Sequence, residues 1–99
     1  MKESGKKNEK TGRFHFFVTG KVQGVFFRVN TVKKAKEENL TGWVRNNDDG
    51  RVEVVAEGKK EALKRFIEFL HKGPPSAEVE NISIEEEEIE GEKDFVVIQ

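Results

Sequence analysis

The chain passes twice from strand-like to helix-like hydrophobic spacing and back, and that order limits the folds open to it. Phe14, Phe16 and Val18 alternate with His15, Phe17 and Thr19, the period of two expected of a strand with unlike faces. Gly20 and Gly24 break the alternation. Val25, Val29, Val32 and Ala35 then follow at helical spacing and predict the core face of a helix that ends before Thr41-Gly42. Trp43 to Asn47 and Arg51 to Glu57 read as two strands joined through Asp48-Asp49-Gly50, where an Asp-Gly pair suits a tight hairpin turn. Leu63, Phe66, Ile67 and Leu70 mark a second helix over Lys59 to Lys72. It is stopped by Gly73-Pro74-Pro75, since glycine accepts a left-handed cap and proline cannot continue the hydrogen-bond ladder.

A strand pattern then resumes. Ala77 and Val79 share one parity and Ile82 and Ile84 the other, which predicts a bulge near Glu80-Asn81. Phe95 to Ile98 is a short β-branched run suited to an edge strand. Both helical connections must cross one face of the sheet. The order βαββαβ with a short fifth strand therefore predicts an α+β ferredoxin-like open sandwich, an antiparallel sheet with two helices on one face.

At 99 residues the chain holds one core, and eight Phe with one Trp give that core large apolar area. A single domain over residues 14–99 is expected, preceded by a disordered polar leader over residues 1–13, and a monomer suffices. No cysteine is present, which excludes disulfides, thiolate nucleophiles and cysteine zinc sites. No apolar run reaches membrane-spanning length, so a soluble, cytoplasmic protein without a membrane partner is expected. The net charge of -1 and the acidic stretch Glu85 to Glu88 argue against a nucleic-acid partner. Those four consecutive carboxylates lack the alternating spacing of a calcium loop and read as a solvated segment. His15 and His71 lie too far apart in sequence to suggest a metal, and neither is assigned to chemistry.

The segment Thr19 to Arg28 is a glycine-bearing turn that leads from a strand into a helix. Successive backbone N–H groups in such a turn can converge on one anion, and the helix behind them adds its positive end. Arg28 supplies a permanently charged planar fork suited to two phosphate oxygens. The plainer reading stands beside this one: glycines that only reverse the chain, and Arg28 as a solvated helix residue. Nucleotide-type loops are disfavoured, because no Ser or Thr follows Lys21 and there is no GxGxxG. Asn46, in the polar run Asn46-Asn47-Asp48-Asp49, likewise reads as turn sequence when taken alone.

Gly20-Lys21-Val22-Gln23-Gly24-Val25-Phe26-Phe27-Arg28 resembles the signature of the acylphosphatase family, G-x-V-Q-G-V-x-[FY]-R. Gly42-Trp43-Val44-Arg45-Asn46 resembles the family's second element, and Asp49-Gly50-Arg51-Val52-Glu53 the hairpin after it. Phe26 stands where many members carry glycine. The resemblance spans roughly Phe14 to Ile98 and implies hydrolysis of acyl phosphates without metal or cofactor. It implies Arg28 and Asn46 as catalytic residues, with Gln23, Gly24, Val25, Phe26, Phe27 and Arg28 holding the phosphate. The implied partners are a small acyl phosphate and inorganic phosphate, the latter as product and competitive inhibitor. A ferredoxin-like module that binds a phosphorylated ligand without cleaving it is the competing expectation.

Overall fold

The structure, a computed structural model, describes residues 10–98. Its elements are β1 (Thr11–Lys21), α1 (Phe27–Glu37), β2 (Thr41–Asn46), β3 (Val52–Lys59), α2 (Lys60–Lys72), β4 (Glu78–Glu87) and β5 (Phe95–Val97). They form one five-stranded sheet in the order β4-β1-β3-β2-β5. The period-two pattern sorts side chains between its faces. Phe16 and Val18 of β1, Val44 of β2 and Val52, Val54 and Ala56 of β3 are buried in the core with Leu63, Phe66 and Leu70 of α2. Phe66 meets Phe16 and Phe95 edge-on, with ring centroids 5.9 and 6.0 Å away. Each large side chain so buried contributes about 1.5–3 kcal/mol against chain entropy.

The ferredoxin-like order and the bulge are as expected. Thr19 pairs with Asn81 and Gly20 with Val79, so Glu80 is the extra residue in β4. A Cβ at Gly20, where φ is +134°, would strike the backbone oxygen of Glu78, so this glycine serves the close approach of β1 to β4. The Asp-Gly hairpin also forms, closed by Asn47 N–H to Arg51 O at 2.8 Å and Gly50 N–H to Asn47 O at 3.1 Å.

Three expectations need correction. The sheet is not wholly antiparallel, because β5 pairs with β2 in parallel. β4 ends at the edge of the sheet where β2 begins its course on the far side, and a strand entered from that end can only run as β2 does. The strand β1 starts at Thr11, so Gly12 and Arg13, assigned to the leader, are strand residues and both are buried. The remainder of the expected leader, through Glu9, lies outside the described residues, as does Gln99. Finally, Val29 does not face the core. Phe26 is left-handed and α1 begins after it, so Phe27 sets the phase and Thr31 and Ala35 follow on the buried face at intervals of one turn. No helix among the described residues is long and apolar enough to cross a membrane.

Candidate active site

The residues between β1 and α1 are held from two sides. Val22 and Val25 are buried apolar anchors. Gln23 reaches across to the β2–β3 hairpin, where its Nε2 donates to Asn47 O at 2.8 Å and Arg51 O at 3.1 Å. One side chain thus ties the loop to the hairpin that carries Asn46, as a second donor to two carbonyls that already close the turn. Gly24 has φ +73° with open space around it, so its role is conformational. Phe26 takes the same left-handed region at φ +62°, a conformation that costs a residue with a Cβ about 1–2 kcal/mol.

Among the described residues, no backbone N–H of residues 23–29 donates to a backbone acceptor; the first to do so is Asn30, to Phe26 O at 3.1 Å. These are the unpaired donors of a helix start, at the positive end of an 11-residue helix with no acidic side chain in its first turn. Asn30 also turns its Nδ2 onto Phe26 O at 2.9 Å, so that this carbonyl accepts twice from one residue.

The loop, α1 and β2 enclose a pocket of about 340 Å³ lined by Val22, Gly24, Phe26, Phe27, Arg28, Val29 and Asn46. Asn46 shares its strand face with Val44, and the end of that strand opens onto the loop. Its Oδ1 is buried and has no hydrogen-bond partner within the protein. Arg28 is half-buried and makes no ion pair among the described residues. A larger cavity of about 600 Å³ lies at the other end of the sheet. Glu37, Glu38 and Glu61 outnumber Lys59 and Arg65 in its lining, and Arg65 is already bound to Glu38 at 2.8 Å, so its balance of charge disfavours an anion.

Of the residues expected at the site, Arg28, Asn46, Gly24, Phe26 and Phe27 line one pocket. The side chains of Gln23 and Val25 do not, the first bracing the hairpin and the second packing inward. Val22 and Val29 line the pocket without having been expected there. Val22 belongs to the recognised loop and was legible as a neighbour; Val29 was hidden by a helical pattern that placed it in the core.

A second charged cluster sits on the sheet face opposite the helices, where residues 88–94 cross over. Arg13 donates to Glu57 at 2.8 Å, Glu87 at 2.9 Å and Glu92 at 2.9 Å. Glu57 also accepts from the N–H groups of Glu90, Gly91 and Glu92 at 2.8, 3.1 and 2.9 Å. Burial works against the Glu57 carboxylate, but these three amides and Arg13 outweigh it and hold its pKa below the usual range. His15 lies between Glu87 (2.7 Å) and Glu53 (2.6 Å). Burial disfavours its cation, yet the two carboxylates prevail and raise its pKa. Glu87, expected as a solvated residue of the acidic stretch, is instead half-buried and held below the ordinary carboxylate range by Arg13 and then His15. Every charge in this cluster faces another, which suits structure rather than ligand binding.

With this geometry in view, the likeness to known proteins is specific. The acylphosphatase family model matches residues 14–97. The chain is 51% identical over 85 residues to an acylphosphatase of Trichormus variabilis, covering 86% of this chain and 84% of that protein. The solved structure of an acylphosphatase from Coxiella burnetii superposes with a TM-score of 0.87 at 44% identity, covering 99% of this chain and all of that one. The crystal structure of acylphosphatase from Bacillus subtilis gives a TM-score of 0.87 at 40% identity, covering 91% of this chain and all of that one. A chain with both family segments meeting at one pocket, and matched over nearly its whole length, belongs to the acylphosphatase family.

Proposed function

We propose that this protein hydrolyses the carboxyl–phosphate bond of acyl phosphates to a carboxylate and inorganic phosphate, with Arg28 and the loop amides holding the phosphate and Asn46 orienting the water. The observation that carries this reading is the meeting at one pocket of a guanidinium, a run of N–H donors and a buried amide oxygen that have no partner among the described residues. The first two suit the equatorial oxygens of a phosphoryl group, where negative charge concentrates in transfer. Asn46 Oδ1 can accept a hydrogen bond from the attacking water and so aim its lone pair at phosphorus, in line with the bond that breaks.

An amide is no base at neutral pH, so the proton released by the water goes to a phosphate oxygen. The departing group is a carboxylate with a conjugate-acid pKa of about 4 to 5, a weak base that leaves without protonation. This explains how a site whose lining, among the described residues, has no histidine or carboxylate can carry the reaction. The product phosphate occupies the same cradle and competes with substrate. The test is release of phosphate from acetyl phosphate or benzoyl phosphate in the presence of EDTA. Turnover that inorganic phosphate inhibits competitively is expected; no turnover on either substrate would refute the proposal.

A further inference from the structure

The mouth of the pocket carries an apolar rim that phosphate recognition does not use. Phe26 is 74% exposed and Val29 62%, the two most exposed large apolar side chains among the described residues, and both line the pocket with Arg28 and Asn46. Water-exposed phenyl surface has a standing cost, and Phe26 is held there at the further expense of a left-handed backbone. The phase of α1 turns Val29 outward to the same mouth, while its neighbours Phe27 and Thr31 go into the core. The pocket volume of about 340 Å³ is about eleven times the 30 Å³ that one water takes in the liquid, more than a five-atom phosphate needs.

We propose that Phe26 and Val29 form a platform for the acyl substituent and that the site favours acyl phosphates with an aryl or other apolar acyl group. This rests on the reading of the site as an acyl phosphate hydrolase. With phosphate held at Arg28 and the helix start, the carbonyl carbon and its substituent emerge at the mouth, where a phenyl ring covers apolar surface and a methyl group covers little. Among the described residues the lining holds only one charged side chain, Arg28, which the phosphate engages. An acyl group with a second carboxylate therefore finds no cation there, and its desolvation against Phe26 is unfavourable.

The experiment uses the whole protein and two paired readouts. The first is the ratio of kcat/KM for benzoyl phosphate to that for acetyl phosphate. The second is the ratio of Kd for two non-hydrolysable analogues, phenacylphosphonate and acetonylphosphonate, measured by calorimetry. Phe26→Asn keeps a residue type that tolerates the left-handed region, and Val29→Thr keeps the shape of the side chain while making it polar. The unmodified protein is expected to prefer the aryl member of each pair at least tenfold, the low end of what an apolar contact of this kind supplies. Phe26→Asn is expected to erase most of that preference and Val29→Thr to reduce it about threefold. Ratios within twofold of the unmodified protein in both variants, or no aryl preference to begin with, would overturn the platform while leaving the hydrolase reading intact. Absence of turnover with a retained, variant-sensitive preference for phenacylphosphonate would sink the hydrolase reading and uphold the platform.

Discussion

Arg13 and Arg28 carry the same guanidinium at opposite ends of the sheet, and the fold uses them in opposite ways. Arg13 is 5% exposed, meets three carboxylates at 2.8–2.9 Å and lies under residues that cross from β4 to β5. Arg28 is half-buried at a helix start and has no carboxylate partner among the described residues. A buried cation must be saturated or it is costly, whereas one at a pocket mouth keeps its hydration until a ligand replaces it. The contrast also extends to the backbone. Around Glu57 the amides of Glu90, Gly91 and Glu92 are spent on a carboxylate of the chain itself; between Gln23 and Val29 the backbone N–H groups have no backbone acceptor among the described residues. The same donor chemistry serves closure in one place and, on the function proposed above, phosphate binding in the other.

If that contrast is right, damage at the two ends separates activity from stability. The largest effect is expected at the pocket. Arg28→Ala should lower kcat/KM about 10³-fold and weaken inhibition by inorganic phosphate, while Asn46→Ala should lower kcat by about 10²-fold or more and leave that inhibition in place. Steady-state kinetics with phosphate as inhibitor checks both, and equal loss of phosphate affinity in the two variants would end the division of roles. Glu57→Ala comes next, because it leaves Arg13 without its most buried partner and three amides without their acceptor. We expect a loss of about 3 kcal/mol in chemical denaturation, with kcat/KM of the folded protein unchanged. A fall in kcat/KM would mean that the two ends are coupled.

The smallest effect concerns His15 and depends on pH. Because Glu87 and Glu53 raise its folded pKa above the ordinary 6.5, its contribution is fully present below 6.5 and is lost as pH rises through the folded value. Glu57 and Glu87 behave in the opposite sense: their lowered values contribute above the ordinary 4.5 and fade as pH falls through the folded values. The stability gap between the unmodified protein and His15→Gln should therefore be widest near pH 5.5 to 6 and close toward alkaline pH, read from denaturation midpoints across that range. A gap independent of pH would show that the imidazole acts by packing alone.

The loop between β1 and α1 was legible in the sequence because its parts are contiguous: two glycines, an arginine and the start of a helix lie within nine residues. The bulge at Glu80 was legible too, since a change of parity between Val79 and Ile82 can only be absorbed by an extra residue. The Arg13 cluster was not. Its members come from β1, β3, β4 and the crossing segment, and each taken alone is an ordinary surface residue. Glu87 was hidden within a run of four glutamates whose other members are exposed.

Local chemistry thus determined the element types, their order, the turn at Asp49-Gly50 and the glycine turn between β1 and α1, because hydrophobic period and turn preference act over a few neighbouring residues. Tertiary structure decided the rest. The end of the sheet where β4 stops forced β5 to run parallel to β2, the left-handed Phe26 set the phase that exposes Val29, and long-range pairing chose which arginine was enclosed and which was left open. Those outcomes depend on where separate segments meet in space, and no pattern confined to one segment contains that information.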